Sequence, residues 1–143
     1  MKIRKFGATL LALALVTGGS LVLAAPASAD SEGTMPSGCS ISPSVPSTID
    51  VRLSNPTRTE TRVTWGGYAS CSRASSIDFR LVHNYASLPD VRVRNVNIPF
   101  NVSEYHGNTC NNGGTRQYYS EIAFKGLSST VQRVSRAVTI SHC

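Results

Sequence analysis

The sequence predicts an all-β fold, an antiparallel β-sandwich of about seven short strands stapled by two disulfides. Three observations predict it. Apolar side chains recur at every second residue from Ile49 to Ile140, and no segment spaces them at i, i+3, i+4 and i+7 between helix caps. Turn-forming residues punctuate these runs at intervals of about ten. Four cysteines, Cys39, Cys71, Cys110 and Cys143, follow an N-terminal export signal.

The first alternating run is Ile49, Val51 and Leu53 against Asp50, Arg52 and Ser54. Asn55-Pro56-Thr57 turns the chain into Thr59 to Trp65, with Val63 and Trp65 on the apolar face. Gly66-Gly67 then predicts a bend or bulge before Tyr68 to Cys71, and continued alternation puts Cys71 on the Val63 and Trp65 face. Ile77 to His83 follows, with Ile77, Phe79 and Leu81 inward. Val91 to Phe100 slips in phase near Arg94-Asn95, which predicts a second bulge. The polar stretch from Asn101 to Gly114 reads as the longest loop. Tyr118, Ser120, Ile122 and Phe124 share one strand face, and Val131 to His142 supplies the last strand, with Val134, Val138 and Ile140 apolar. An immunoglobulin-like arrangement suits this pattern, although Trp65 lies only six residues before Cys71, whereas that family sets its tryptophan between cysteines of facing sheets. The length and the four cysteines are also those of neocarzinostatin-like apoproteins and bacterial subtilisin inhibitors, but both close short disulfide loops and none of their motifs occurs here.

Residues 1–29 read as the export signal. Lys2, Arg4 and Lys5 precede the apolar stretch Ala8 to Val16, and Ala27-Ser28-Ala29 offers small residues for cleavage, which starts the mature chain at Asp30. The predicted organisation is a signal over 1–29, a flexible Ser/Pro/Gly-rich segment over 30–46 and one domain over 47–143. The expected location is extracellular, for a bacterial secreted protein without membrane insertion after signal removal. The three signal cations leave 11 basic side chains against eight acidic ones, a net of +3, which supports solubility and weak attraction to anionic surfaces. An even cysteine count in an oxidising compartment predicts two bridges. Three pairings are possible; Cys39 to Cys71 and Cys110 to Cys143 are favoured because they close near-equal intervals of 31 and 32 residues, each around a hairpin of strands. No Cys-x-x-Cys pair is present, so neither a metal nor any other cofactor is expected.

Candidate function rests on three constellations. Arg52, Arg62, Arg80, Arg92 and Arg94 all alternate with inward apolar residues and are candidate binding residues on one arginine-rich surface for an anionic polymer or a protein. The competing expectation is a set of cross-strand ion pairs, because Asp50, Glu60, Asp78 and Glu121 interleave with them. Aromatic side chains do not interleave, which makes nucleic acid an unfavoured partner. The second constellation is Tyr118-Tyr119-Ser120-Glu121 followed by Arg133, Arg136 and His142. It resembles microbial guanyl-specific ribonucleases over about 25 residues, and the resemblance implies Glu121 as general base, Arg133 or Arg136 as phosphate clamp and His142 as acid. The short Glu121 to His142 spacing and the cysteine beside His142 depart from that family. The third is Tyr85 to Asp90, in which Leu88 before the stiff Pro89 could be an inhibitor loop offered to a protease.

No Gly-x-Ser-x-Gly, His-Glu-x-x-His or glycine-rich phosphate loop is present. The sequence therefore leads to an expected monomer that is a secreted, non-catalytic module recognising an extracellular protein or an anionic cell-surface or polymer partner.

Overall fold

A computed structural model describes residues 32–99, 102–110 and 113–142. The expected export signal at 1–29 therefore lies outside the described residues, as does Cys143. Among the described residues there are nine strands and no helix. They are β1 (Cys39–Pro43), β2 (Ser47–Ser54), β3 (Thr57–Cys71), β4 (Ser76–His83), β5 (Val91–Ile98), β6 (Val102–Thr109), β7 (Gly114–Lys125), β8 (Val131–Val134) and β9 (Val138–His142).

Two antiparallel sheets result. In the first, the long β3 is central: β6 lies along one edge, while β2 and then β1 occupy the other edge end to end. In the second the order is β5-β4-β7, and the far edge of β7 carries β8 and β9 in succession. Nine strands thus fill seven places.

The segmentation has local causes. β3 runs unbroken through Gly66 and Gly67, whose φ values of 134° and 140° are open to glycine and hostile to other residues. Here β1 and β6 press closest: a Cβ at Gly66 would stand 1.9 Å from the Tyr105 carbonyl oxygen, and one at Gly67 would stand 2.3 Å from that of Ser42. The break between β8 and β9 belongs to Ser135. Its Oγ accepts the Ser120 backbone N–H at 3.0 Å, taking the place of a ladder carbonyl, and its own N–H returns to the Ser120 carbonyl.

Three sequence expectations are corrected. Residues 102–109 form β6, where a polar loop was expected. This strand has few apolar residues because Gly107 gives room to Trp65 and Tyr105, so one tyrosine fills the space of several side chains. The 30–46 segment is not a tail throughout: β1 lies in it, and Glu32 exchanges both backbone hydrogen bonds with Gln132. On β2 the register places Ile49 opposite Arg62 and Val51 opposite Glu60, so its apolar stripe shares the polar face of β3. The two-residue turn Asn55-Pro56 fixes that register, and Ile49 stays exposed. The expected bulge in β5 is present as a register shift opposite Leu81 and Val82.

The inner faces share one core. Val63, Trp65, Ala69 and Cys71 of β3 meet Ile77, Phe79 and Leu81 of β4 and Tyr118, Ile122 and Phe124 of β7. Each fully buried large side chain contributes about 1.5 to 3 kcal/mol. Tyr105 joins the sheets, its ring centroid 5.1 Å from that of Trp65 and 5.5 Å from that of Phe79. Cys39 and Cys71 are direct cross-strand partners and form a disulfide as expected. Cys110 is also disulfide-bonded; the expected Cys110 to Cys143 pairing falls on a residue outside the described set. No helix among the described residues is long and apolar enough to cross a membrane.

Candidate functional site

The outer face of the second sheet carries an unusual concentration of buried charge. Alternation turns Ile77, Phe79 and Leu81 into the core, so Asp78, Arg80 and Val82 must point the other way. Register then sets three successive rungs across β5, β4 and β7: Asn97, Asp78 and Ala123; Asn95, Arg80 and Glu121; Arg92, Val82 and Tyr119. Asp78, Arg80 and Glu121 retain 5%, 4% and 6% of their exposure, burial that charged side chains accept only when paired.

Arg80 is the hub. Its guanidinium donates to Asp78 Oδ2 at 2.6 Å, to Glu121 Oε1, and through Nε to Asn95 Oδ1 at 3.2 Å. Asn97 Nδ2 donates to Asp78 Oδ1 at 2.6 Å, and Lys125 Nζ stands 3.5 Å from Asp78 Oδ2. Burial acts to raise the Asp78 carboxyl, but the hydrogen bonds from Asn97 and Arg80 and the two nearby cations outweigh it, and the group ionises below its ordinary value. Burial likewise opposes the Arg80 charge, and the bonds to Glu121 and Asp78 reverse that effect and hold it more firmly protonated.

Beside this network, Tyr119 donates its phenol hydrogen to Asp90 Oδ2 at 2.9 Å, and the other Asp90 oxygen accepts the Tyr85 backbone N–H at 3.0 Å. Burial, then the Asp90 contact, push the Tyr119 hydroxyl far above its usual value. One carboxylate thus closes the Tyr85 to Asp90 loop on itself and ties it to β7. Leu88, at 65% exposure, projects from that loop.

An open polar pocket of about 480 Å³ lies above Arg80. Arg92, Lys125, Glu32, Gln132 and the turn Gly126 to Thr130 form its sides. The turn is anchored at Gly126, where φ is 78° and a Cβ would meet Ser75 Oγ at 2.4 Å. Its far rim is held by Glu32, whose carbonyl accepts from Arg133 at 2.9 Å, while that of Gly33 accepts at 3.1 Å.

The predicted arginines do not make one surface. Arg52 and Arg62 lie in the first sheet, and register puts Arg52 with Thr59 on one face and Arg62 with Ile49 on the other. Arg62 binds Glu60, which also receives Arg58; hydrogen bonds from Arg62 lead in drawing the Glu60 carboxyl below its ordinary value. Arg80 is spent on its two carboxylates. Arg92 and Arg94, on the edge strand β5, are exposed and form no ion pair among the described residues.

The ribonuclease-like set is not brought together either. Glu121 faces outward and is held by Arg80, whereas His142 Nε2 meets the hydroxyl of core-facing Tyr118 at 2.7 Å, opposite Gly114. Seven residues along β7 separate the two levels, about 23 Å at strand rise. Arg133 holds the N-terminal segment, and exposed Arg136 sits in the break between β8 and β9. His83 lies against Tyr85, ring centroids 3.9 Å apart and tilted by 44°; burial, then the charge of Arg116, draws its imidazole below the usual value against the pull of Asp90. No cluster of three or more histidine, cysteine or acidic side chains suited to a metal occurs among the described residues.

Sequence reasoning gave Asn95, Asn97, Asp90, Lys125 and the Gly126 to Thr130 turn no part in this site. The outward positions on β4 and β5 were legible, but which strands pair was not. Compared with protein-family models, with curated proteins and with solved structures, the chain matches none.

Proposed function

We propose that this protein is a secreted, non-catalytic binding module, a β-sandwich with immunoglobulin-like strand order, that meets an anionic extracellular partner along β5. The export signal in the sequence and the Cys39–Cys71 bridge support the location. The sheet orders support the architecture, because the chain passes between sheets after β3, β5 and β6 as Greek-key sandwiches do. One observation carries the binding reading: Arg58, Arg62 and Arg80 are engaged by Glu60, Asp78 and Glu121, while Arg92 and Arg94, both exposed on the edge strand β5, have no acidic partner among the described residues. Exposed cations without partners attract anions over about 10 Å at 0.1 M salt.

The expected result is retention of the mature protein on immobilised sulfated dextran at low salt. Replacing both Arg92 and Arg94 by Gln should abolish it, and Arg52→Gln should leave it intact. Unchanged elution of the double variant, or equal loss with Arg52→Gln, contradicts the reading.

A second reading, protease inhibition, is favoured by the loop clamped through Asp90, with Leu88 exposed ahead of Pro89. Its expected result is inhibition of a serine protease with an apolar primary pocket, such as subtilisin or chymotrypsin, lost in Leu88→Asp. Failure of the wild type to inhibit such enzymes, or equal inhibition by the variant, removes it.

A further inference from the structure

The open edges of the two sheets are not equally guarded. An edge strand offers unpaired N–H and C=O groups to any other strand, and proteins ordinarily blunt it with cations, proline or a bulge. The β5 edge carries Arg92, Arg94 and the register shift opposite Leu81 and Val82. Pro43 and Pro46 interrupt the edge made by β1 and β2, and the break at Ser135, with Arg133 and Arg136 beside it, interrupts that of β8 and β9. β6 has none of these devices. Its eight residues run against β3 in unbroken register from Val102 to Thr109, contain no Pro, Lys or Arg, and pair with no other described strand.

We propose that β6 is a dimerisation edge, on which a second copy of this chain lays its own β6 antiparallel to make one continuous sheet. This edge is distinct from β5, and the inference does not rest on the anion-binding reading. A dimer replaces the monomer expected from the sequence.

Backbone direction is the first support. The Tyr105 carbonyl points at β3, where a Cβ on Gly66 would stand 1.9 Å from its oxygen. Direction alternates along a strand, so the N–H and C=O groups of Glu104, His106 and Asn108 point the other way, along the open edge. About a two-fold axis at Tyr105, Glu104 falls opposite His106 of the second copy, and His106 opposite its Glu104. Both positions carry outward backbone groups, so each of these rungs exchanges two N–H···O=C bonds. A register displaced by one residue sets outward groups against inward ones and loses them.

The side chains select the same register. Glu104 and His106 share one face, with side-chain exposures of 67% and 64%, and His106 Nε2 stands 3.0 Å from Glu104 Oε1 within the chain. Pairing about Tyr105 brings two carboxylates and two imidazoles together in alternation, and an imidazole, neutral or protonated, can donate N–H to a carboxylate. Displacing the register by two residues sets Glu104 against Glu104 or His106 against His106, like against like. This strand is therefore complementary to itself in one alignment.

Sedimentation equilibrium of the mature protein tests the proposal. Wild type should dimerise weakly, half-populated at about 0.1 mM, because an interface made by one edge is small. Glu104→His and His106→Glu should each weaken self-association by about tenfold, since each sets like groups opposite one another on both rungs. Both side chains are exposed, so the melting temperature of each variant should stay within about 2 °C of wild type. Mixing the two variants should restore association to the wild-type level, because the carboxylates of one chain then meet the imidazoles of the other. A wild type that stays monomeric to about 1 mM, a dimer that survives both substitutions, or a mixture that fails to associate overturns the inference. So does a dimer lost when Arg92 and Arg94 are replaced by Gln, which would put the contact on β5.

Discussion

Arg80→Met is expected to destabilise the fold by about 3 to 5 kcal/mol, the usual cost of removing one partner from a buried ion pair. At about 4 °C per kcal/mol for a domain of this size, the melting temperature should fall by about 12 to 20 °C. The cause is electrostatic. Asp78 and Glu121, at 5% and 6% exposure, would be left on adjacent strands, with only Lys125 at 3.5 Å and Asn97 to compensate one of them. A triple variant that also carries Asp78→Asn and Glu121→Gln removes both buried charges and should recover most of the loss.

The pH dependence supplies a second check. In the wild type Asp78 ionises below the ordinary 3.8, so its contribution is fully present above that value and is lost as pH falls through the lower folded value. In Arg80→Met the buried Asp78 carboxylate has lost its guanidinium, so the stability gap between the variant and wild type should narrow as the solution is acidified. A melting temperature within about 2 °C of wild type at neutral pH contradicts this account of the cluster.

The Cys39–Cys71 bridge carries the second large effect. It closes a loop with a sequence separation of 32 that contains the β2–β3 hairpin. Restricting the unfolded chain to that extent is worth about 3 to 4 kcal/mol. Replacing both cysteines with Ala should therefore lower the melting temperature by about 12 to 16 °C. The effect should be close to that upper figure because Cys71 is wholly buried in the core beside Val63 and Trp65, and the smaller side chain leaves a gap there. A shift below about 3 °C would show that the hairpin is held by its strands alone.

These two features differ in how far the sequence disclosed them. The alternation of Ile77, Phe79 and Leu81 identifies β4 and its two faces, because burial on one side of a strand leaves a mark at period two. The phase slip near Arg94 shows in the same way. Cys71 could be placed on the face of Val63 and Trp65 because the alternation survives Gly66 and Gly67. β6 escaped notice because its inward positions include Tyr105, Gly107 and Thr109, a set whose fitness depends on Trp65 and Phe79 across the core rather than on its own hydrophobicity.

The site was legible only in its parts. Asp78, Arg80 and Glu121 could be seen to alternate outward and to suit ion pairs, and Glu60 with Arg62 likewise. Nothing local to those residues distinguishes the solvated pair of Arg58 and Glu60 from the buried hub at Arg80. The difference arises from register, which sets Asn95 and Glu121 on either side of Arg80 and leaves Arg92 and Arg94 at an open edge. The same cause misled the reading of β2, where a two-residue turn placed Ile49 beside Arg62.

Backbone amide shift mapping with soluble sulfated dextran tests most directly where the protein meets its partner. The largest changes should fall along β5, around Arg92 and Arg94, with the β2–β3 hairpin unmoved. Changes centred on Arg52 and Arg58, or on Arg116 and Arg136, would contradict the assignment of binding to the β5 edge.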